Sequence, residues 1–557
     1  MSNLVLSLVS TVTKRVKANF VRNTQNVTAA QEKFLLSLLR LHQNTEFGKQ
    51  YGLAEVKTVA QFRDRIPVLS YSHYEPYVER IAQGEPNILT PDPIIYLNLS
   101  SGSTGKQKLI PVTHRSRRVR SQVNQTSTGF LIEALQRRKL PIGKILVTTS
   151  ARAVGQTSSG IDYGFVSAGD LRLNSGLYRQ IAAQPFEALQ SADSLARHYV
   201  CLLFALSDPQ TRIIGANFPV LGLQLSHYLE SYAEDFIQDI ETGEIAHWLK
   251  LEPEIRAKLE RCWSSHPKRA AELRHLLKTE GRLTPHSVWN LSAVVTALGG
   301  TSSFYLERFP SYFGDTPIFG GIYASSEAAF GTYYELNNEG AVLAVNAGFF
   351  EFIAEDQWQA AQPKTLLPCE VTPGNYYRIV VTNYSGLYRY DINDVVEVLG
   401  FYNEAPIIVF RHRLGGLLSS TTEKTTEFHV AQVMQRLQQN FNLALENFCV
   451  TLSEHEIPPH YLVNIELASG ERLTHSQDFI QQFDRYLQEV QPSYAVKRPG
   501  TIPPPRLRIL ASGSFATLQQ RLLKRGIPES QLKFPHISDD RHLLTGLTIA
   551  QEIAMEE

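Results

Sequence analysis

Apolar and polar positions change period several times along this chain, and each change marks an element. In the first fifty residues the apolar positions repeat at helical spacing, as in Gln31-Glu-Lys-Phe-Leu-Leu-Ser-Leu-Leu-Arg-Leu41, which predicts helices packed by one face. Ile94-Ile-Tyr-Leu-Asn-Leu99 reads as a buried strand running into a Ser/Gly loop. A long helix with polar and basic faces is expected from that loop to about residue 138, and Lys144-Ile-Leu-Val-Thr-Thr149 reads as the next strand. Strand, loop, helix, strand is the order of an α/β domain with substantial parallel sheet. Runs 211–216 and 316–323 continue the strands, with helices between about 222 and 285. From about 340 to 412 the β runs become short and closely spaced, as at 376–382 and 394–401, which predicts an antiparallel or barrel-like subdomain.

Gly415-Gly416, in a short Gly/Ser/Thr-rich stretch, is the best hinge candidate. Beyond it the periods alternate in a small α+β pattern: helix 425–440, strands 448–452 and 461–467, helix 476–489, strand 507–510 and helix 515–525. The expected organisation is a large N-terminal α/β domain (1–412), with parallel-sheet subdomains and a barrel-like β subdomain. A hinge (413–421) and a small α+β C-terminal domain (422–557) follow. A chain of 557 residues exceeds what one core organises.

Composition narrows the function classes. With 54 basic and 54 acidic side chains the formal charge is zero, which argues against a nucleic-acid partner. The one basic cluster, Arg115, Arg117, Arg118 and Arg120, reads as a solvated helix face that also adds positive potential near an anionic ligand. Cys201, Cys262, Cys369 and Cys449 lie far apart without metal-ligand spacing, so neither disulfides nor structural zinc are expected, and a reducing cytoplasm is. In the apolar start Leu4-Val-Leu-Ser-Leu-Val-Ser-Thr-Val12 the basic residues follow the apolar run, which favours an amphipathic helix over a leader. No stretch reaches the roughly 18 apolar residues of a membrane span, so no membrane partner is expected, and the chain is expected to act as a monomer.

The chemistry begins at Ser100-Ser-Gly-Ser-Thr-Gly-Lys-Gln-Lys108, with four hydroxyls, two glycines and two lysines in nine residues. Glycine lets backbone amides approach closely, hydroxyls donate to anionic oxygens, and a following helix N-terminus favours negative charge. It is not a Walker A loop: Gly102 and Gly105 are three apart, and Gln107 follows Lys106. γ-Phosphoryl transfer is therefore not the expected chemistry.

Ser101-Gly-Ser-Thr-Gly-Lys-Gln-Lys108 resembles the signature of the acyl-adenylate-forming superfamily, the group of firefly luciferase and the acyl-CoA synthetases. Tyr323-Ala-Ser-Ser-Glu327 resembles its second motif, and Tyr388-Arg-Tyr-Asp-Ile-Asn-Asp394 its third, with Asn393 in place of the usual glycine and Asp391 where a basic residue is common. One sub-family is similar along nearly the whole chain. Thr45-Glu-Phe-Gly-Lys-Gln-Tyr-Gly52, Asn346-Ala-Gly-Phe-Phe-Glu-Phe352, Glu423-Lys-Thr-Thr-Glu427 and Gln531-Leu-Lys-Phe-Pro535 look like the plant auxin-responsive acyl-acid amido synthetases and their bacterial relatives.

That resemblance implies a ligase using ATP and Mg²⁺. It would convert a small carboxylic acid to acyl-AMP and pass the acyl group to an amine, typically an amino acid, after rotation of the C-terminal domain. It implies phosphate contacts from Ser100, Ser101, Gly102, Ser103, Thr104, Gly105 and Lys108. Ser326 and Arg413 complete the ATP site, Tyr323 lies by the adenine, Asp394 holds the ribose and Glu327 holds Mg²⁺. Lys424, with Lys533 as second candidate, would act on the α-phosphate, since the superfamily's usual C-terminal lysine motif is absent. Gly160, Ile161 and Phe330 are the candidates for the acid pocket. Two alternatives stay open: an acyl-CoA synthetase sharing the first half-reaction, and a non-catalytic sensor of a small acid or nucleotide.

Overall fold

The computed structural model describes residues 3–100, 108–173, 175–300, 302–414, 417–421, 423–524 and 534–555. Ser101, Gly102, Ser103, Thr104 and Gly105 of the loop, Gly415 and Gly416, and Lys533 lie outside the described residues. The chain forms two compact units, Met1–Phe410 and Arg411–Glu557.

The first unit opens with helices Asn3–Asn23 and Val27–His42, the second capped by Asn26, whose side chain accepts the Ala29 N–H. The first helix lies along the long helix His114–Arg137. A Cβ at Gly129 would stand 2.9 Å from the Thr13 carbonyl, so this close approach requires glycine. Phe20 meets Phe130 edge-on at 6.3 Å, and Lys17 pairs with Glu133. The N-terminal segment is thus an amphipathic helix on the body, and no helix among the described residues is long and apolar enough to cross a membrane. All four cysteines are free.

Strands Lys144–Val147, Thr211–Ala216, Ala293–Thr296 and Ile318–Phe319 form an all-parallel sheet in that order. A second sheet has the order Leu109–Thr113, Ile94–Leu99, Asp162–Gly164, Gly155–Gln156. The third, seven-stranded, runs Phe349–Ala354, Tyr376–Thr382, Tyr390–Tyr402, Ala405–Arg413, Ala341–Leu343, Ala329–Tyr333, Ile322–Ala324. It starts earlier than the sequence pattern suggests, because the apolar run 316–323 is two strands in two sheets. Gly320-Gly321 divides it: Gly321 has φ +66°, and a Cβ on Gly320 would lie 2.3 Å from the Tyr333 ring. Without glycine there, the chain could not pass from the parallel sheet to the antiparallel one.

A second difference concerns the phosphate loop. The expected helix does not follow it directly; Leu109–Thr113 first forms an edge strand antiparallel to Ile94–Leu99. The Ser100 N–H donates to the Lys108 carbonyl at 2.9 Å, and the Lys108 N–H to Ser100 Oγ at 3.0 Å, closing a hairpin. Leu109-Ile-Pro-Val-Thr113 suits an edge strand, being rich in β-branched residues with a proline that lacks an N–H. The helix begins only at His114, where Thr113 and Ser116 form a capping box. The helix therefore starts beside Ile94, at the opposite end of the strand pair from Ser100 and Lys108.

The second unit carries the sheet Leu445–Leu452, Tyr461–Leu467, Arg506–Leu510, Ile549–Ala554. Helices Glu427–Phe441, Ser476–Val490 and Ser514–Lys524 appear where the periodicity placed them. Helix Pro492–Lys497 and the last strand are additions that the pattern did not show.

Candidate active site

The end of strand Ile94–Leu99 is stapled to the second motif. Ser326 Oγ donates to the Leu99 carbonyl at 3.1 Å, and Asn98 Nδ2 donates to the Ser326 carbonyl at 3.2 Å. The Ser326 hydroxyl is thus turned toward the backbone that leads into the phosphate loop.

Glu327 sits in the bend between strands Ile322–Ala324 and Ala329–Tyr333, only 5% exposed. Ser325 Oγ donates to its Oε2 at 2.8 Å and accepts its N–H at 3.1 Å, and Asn383 Nδ2 donates to its carbonyl at 2.9 Å. A buried carboxylate held in one orientation is a hard oxygen donor. Mg²⁺ needs few of these from the protein, since phosphate and water supply the rest. The buried Glu327 carboxylate is a donor of that kind, and no group of three metal-capable His, Cys, Asp or Glu side chains occurs among the described residues.

The second and third motifs meet directly. Tyr323 Oη donates to Asp394 Oδ2 at 3.0 Å, and the Tyr323 ring lies 5.1 Å from Phe330 and 5.9 Å from Phe410. Both departures in the third motif have a structural role. Asn393 takes φ +63°, a left-handed conformation that asparagine tolerates. Asp391 accepts the Asn393 N–H at 2.9 Å and pairs with Arg378 at 2.9 Å. Burial pushes the Asp391 carboxyl up, against the pull of Arg378. Arg389 and Tyr388 belong to the framework: Arg389 is buried on Glu351 at 3.0 Å, and Tyr388 stacks on Phe47 at 4.2 Å.

A cavity of about 50 Å³ adjoins Glu327, lined by Asn98, Ser116, Arg120, Asp170, Asn383 and their neighbours. Arg120 Nε donates to Asp170 Oδ2 at 3.1 Å and its Nη1 to the Ser325 carbonyl at 3.0 Å, while Arg117, also on the wall, donates to the Leu173 carbonyl. Part of the basic cluster that reads as a solvated helix face therefore faces this cavity. Asn98, Ser116, Asp170 and Asn383 are not singled out in the sequence, whereas Arg117 and Arg120 read there as adding positive potential near an anionic ligand.

Of the three acid-pocket candidates, Phe330 belongs to a hydrophobic cluster against which Ile161 packs. Gly160 occupies an exposed turn with φ +83°, Ile161 is half-buried against the core, and Phe330 is fully buried in the antiparallel sheet. None of them lines the cavity. Ser100 and Lys108 close the hairpin base, with the Lys108 ammonium 5.3 Å above the Tyr71 ring. Arg413 ends strand Ala405–Arg413, and Lys424, exposed with φ +58°, belongs to the second unit.

By fold the chain is similar to adenylate-forming ligases. It matches the acyl acid amido synthetase AtGH3.15 in complex with 2,4-DB with TM-score 0.87, at 23% identity over 98% of each chain. It also matches 2-hydroxyisobutyryl-CoA ligase in the postadenylation state with TM-score 0.54, at 12% identity over 94% of this chain and 92% of the ligase. The chain belongs to the GH3 family: residues 16–318 match the GH3 family N-terminal domain, 341–413 the central domain and 428–542 the C-terminal domain. Its relatives include jasmonoyl–L-amino acid synthetase JAR4 of Nicotiana attenuata, 28% identical over 539 residues (92% of this chain, 91% of the relative). Another is indole-3-acetic acid-amido synthetase GH3.15 of Arabidopsis thaliana, 26% identical over 543 residues (92% and 90%). The family resemblance read from the motifs holds.

Proposed function

We propose that this protein is an ATP-dependent acyl-acid amido synthetase. A substrate carboxylate oxygen attacks the α-phosphorus of ATP, the bond to the β-phosphate oxygen breaks, and acyl-AMP and pyrophosphate form. An amine nitrogen, here of an amino acid, then attacks the acyl carbon, loses its proton, and AMP leaves. The observation that carries the reading is the junction of Tyr323 with Asp394 beside the buried Glu327, in a family whose relatives bear amido synthetase names.

Asp394, an acceptor-only carboxylate, suits the ribose diol, with Tyr323 against the adenine. Glu327 would hold Mg²⁺, which when bound neutralises charge developing on the phosphates. The loop 100–108 and Arg413 serve ATP, and Lys424, or secondarily Lys533, serves the α-phosphate. The cavity by Arg120 and Asp170 takes the acid's carboxylate end, and Gly160, Ile161 and Phe330 stay the candidates for the rest of the acid pocket. Residues 1–412 form the adenylating domain, 413–421 the hinge, and 422–557 a domain that rotates between the half-reactions, a motion that commonly completes a site and excludes water. The protein works as a monomer in the cytoplasm, a reducing compartment that its four free cysteines suit.

Pyrophosphate exchange into ATP across a panel of aromatic and aliphatic acids tests the first half. Product mass after incubation with an amino-acid mixture or with CoA tests the second: an acyl-CoA product would make the protein an acyl-CoA synthetase. ATP binding with no exchange for any acid would make it a sensor.

A further inference from the structure

Lys424 stands in a backbone conformation that its side chain disfavours. Its φ of +58° lies in the left-handed region, where a non-glycine residue persists only if its surroundings over-determine it. Several elements of the second unit do so. The Lys424 N–H donates to Ser419 Oγ at 2.9 Å. Gln491, which closes helix Ser476–Val490, turns its Nε2 onto the carbonyls of Glu423 at 2.7 Å and Lys424 at 3.1 Å. Its Oε1 takes the Ser493 N–H at 3.0 Å, so flipping the amide would set oxygen against two carbonyls and a donor against an N–H.

The residue before Lys424 is held as firmly. Glu423 is 1% exposed, and its carboxylate accepts the N–H groups of Ser420 at 2.5 Å and Thr421 at 3.0 Å and the Thr421 hydroxyl at 3.0 Å. Tyr461, first residue of its strand and fully buried, donates its hydroxyl to Glu423 Oε1 at 2.6 Å. The Tyr461 hydroxyl also lies 2.9 Å from Thr425 Oγ1 and 3.2 Å from the Leu418 carbonyl. Burial would raise the Glu423 pKa, but the hydrogen bonds from Tyr461, Thr421 and Ser420 outweigh it and hold the carboxyl below its ordinary value. The network is charged and satisfied at neutral pH, while Lys424 is exposed. A lysine is a mobile point charge on a four-carbon stem, and a buried frame around its two peptide bonds restricts where that charge can reach.

We propose that Tyr461 and Gln491 are positioning residues for adenylation: they hold Lys424 in its left-handed conformation and so aim its ammonium at the reacting phosphate. This rests on the assignment of Lys424 to the α-phosphate made above. Neither residue is assigned a contact with substrate; both act through Lys424.

The test uses the full chain and follows the two half-reactions separately, as pyrophosphate exchange and as aminolysis of a synthetic acyl-adenylate. Misplacing a catalytic group by about 1 Å costs roughly 100-fold, so Gln491→Glu should lower the kcat of exchange by about that factor with the KM for ATP unchanged. Tyr461→Phe and Ser419→Ala should lower it by about tenfold, roughly one lost hydrogen bond. Aminolysis should proceed at the wild-type rate, and Gln491→Glu should add no further loss to Lys424→Ala. Equal losses in both half-reactions, or a full additional loss in the Lys424→Ala background, would show that the network only maintains the fold and would overturn the proposal. If Gln491→Glu does not fold, Ser419→Ala carries the test, and wild-type exchange in that variant overturns the proposal. Full exchange in Lys424→Ala overturns the assignment of Lys424 and this inference together, and wild-type silence with every acid overturns the adenylation reading on which both stand.

Discussion

Tyr323 and Asp394, 71 residues apart in sequence, are joined by a hydrogen bond of 3.0 Å from the phenol to Oδ2 of the carboxylate. It ties the first residue of the second motif to the last residue of the third and orients the acidic group assigned to the ribose. Tyr323→Phe keeps the ring near Phe330 and Phe410 but removes this one hydrogen bond. The expected result is a rise of about five- to tenfold in the KM for ATP, the effect of one neutral donor, with little change in the KM for the acid. Asp394→Ala should cost considerably more. Initial rates against ATP concentration check both.

Glu327 is held by Ser325 and buried, so Glu327→Gln keeps its shape and removes its charge. Exchange should fall by about 100-fold or more, with a higher Mg²⁺ concentration needed for half-maximal rate. A variant whose Mg²⁺ dependence matches wild type would remove Glu327 from the metal role. Lys424→Ala should also lower exchange by about 100-fold or more in a folded protein, to a residual rate that can still be measured; full activity there would move that role to Lys533.

Arg120, bound to Asp170 and to the Ser325 carbonyl, lies on the cavity wall. Arg120→Gln should raise the KM for the acid by about 10- to 100-fold, since bonds to charged groups contribute about 1.5–3 kcal/mol, while the KM for ATP stays near its wild-type value. The reverse pattern would place the acid elsewhere.

Glu351 is fully buried and carries Arg389 on both carboxylate oxygens, at 3.0 Å each. Glu351→Ala strands a buried guanidinium, which costs about 3–5 kcal/mol. The unfolding midpoint in guanidinium chloride should drop accordingly. A drop no larger than that of an exposed pair, such as Arg436–Glu489 at 2.9 Å, would contradict the buried-pair account.

His42 has its Nδ1 2.7 Å from the Tyr388 hydroxyl, and burial lowers its pKa to about 4. His429 is lowered likewise to about 4 by burial and then by His412. In the unfolded chain both titrate near the ordinary 6.5. Stability is then fully present above pH 6.5 and is lost as pH falls from 6.5 toward 4, because only the unfolded state takes up these protons. The full slope is about 1.4 kcal/mol per pH unit for each histidine. Urea unfolding at pH 7 and pH 5 should show the loss, and His42→Gln should reduce its pH dependence.

The sequence by itself determined the α/β class, the order of the motifs, the family and most of the second unit. Those rest on local properties: apolar period, turn chemistry and residue type within a few positions. Even the left-handed turn at Asn393 was legible, because asparagine carries that tolerance in its own side chain. Tertiary structure decided the rest. The run 316–323 divides between two sheets because the Tyr333 ring, brought in by another strand, leaves no room for a side chain at Gly320. The phosphate loop joins two strands because Leu109–Thr113 finds a partner in Ile94–Leu99. Arg120 faces a cavity because Asp170 and Ser325 arrive beside it from distant segments. A cavity wall and a frame such as that around Lys424 are assembled from residues with no common period, so they take form only when the chain is folded.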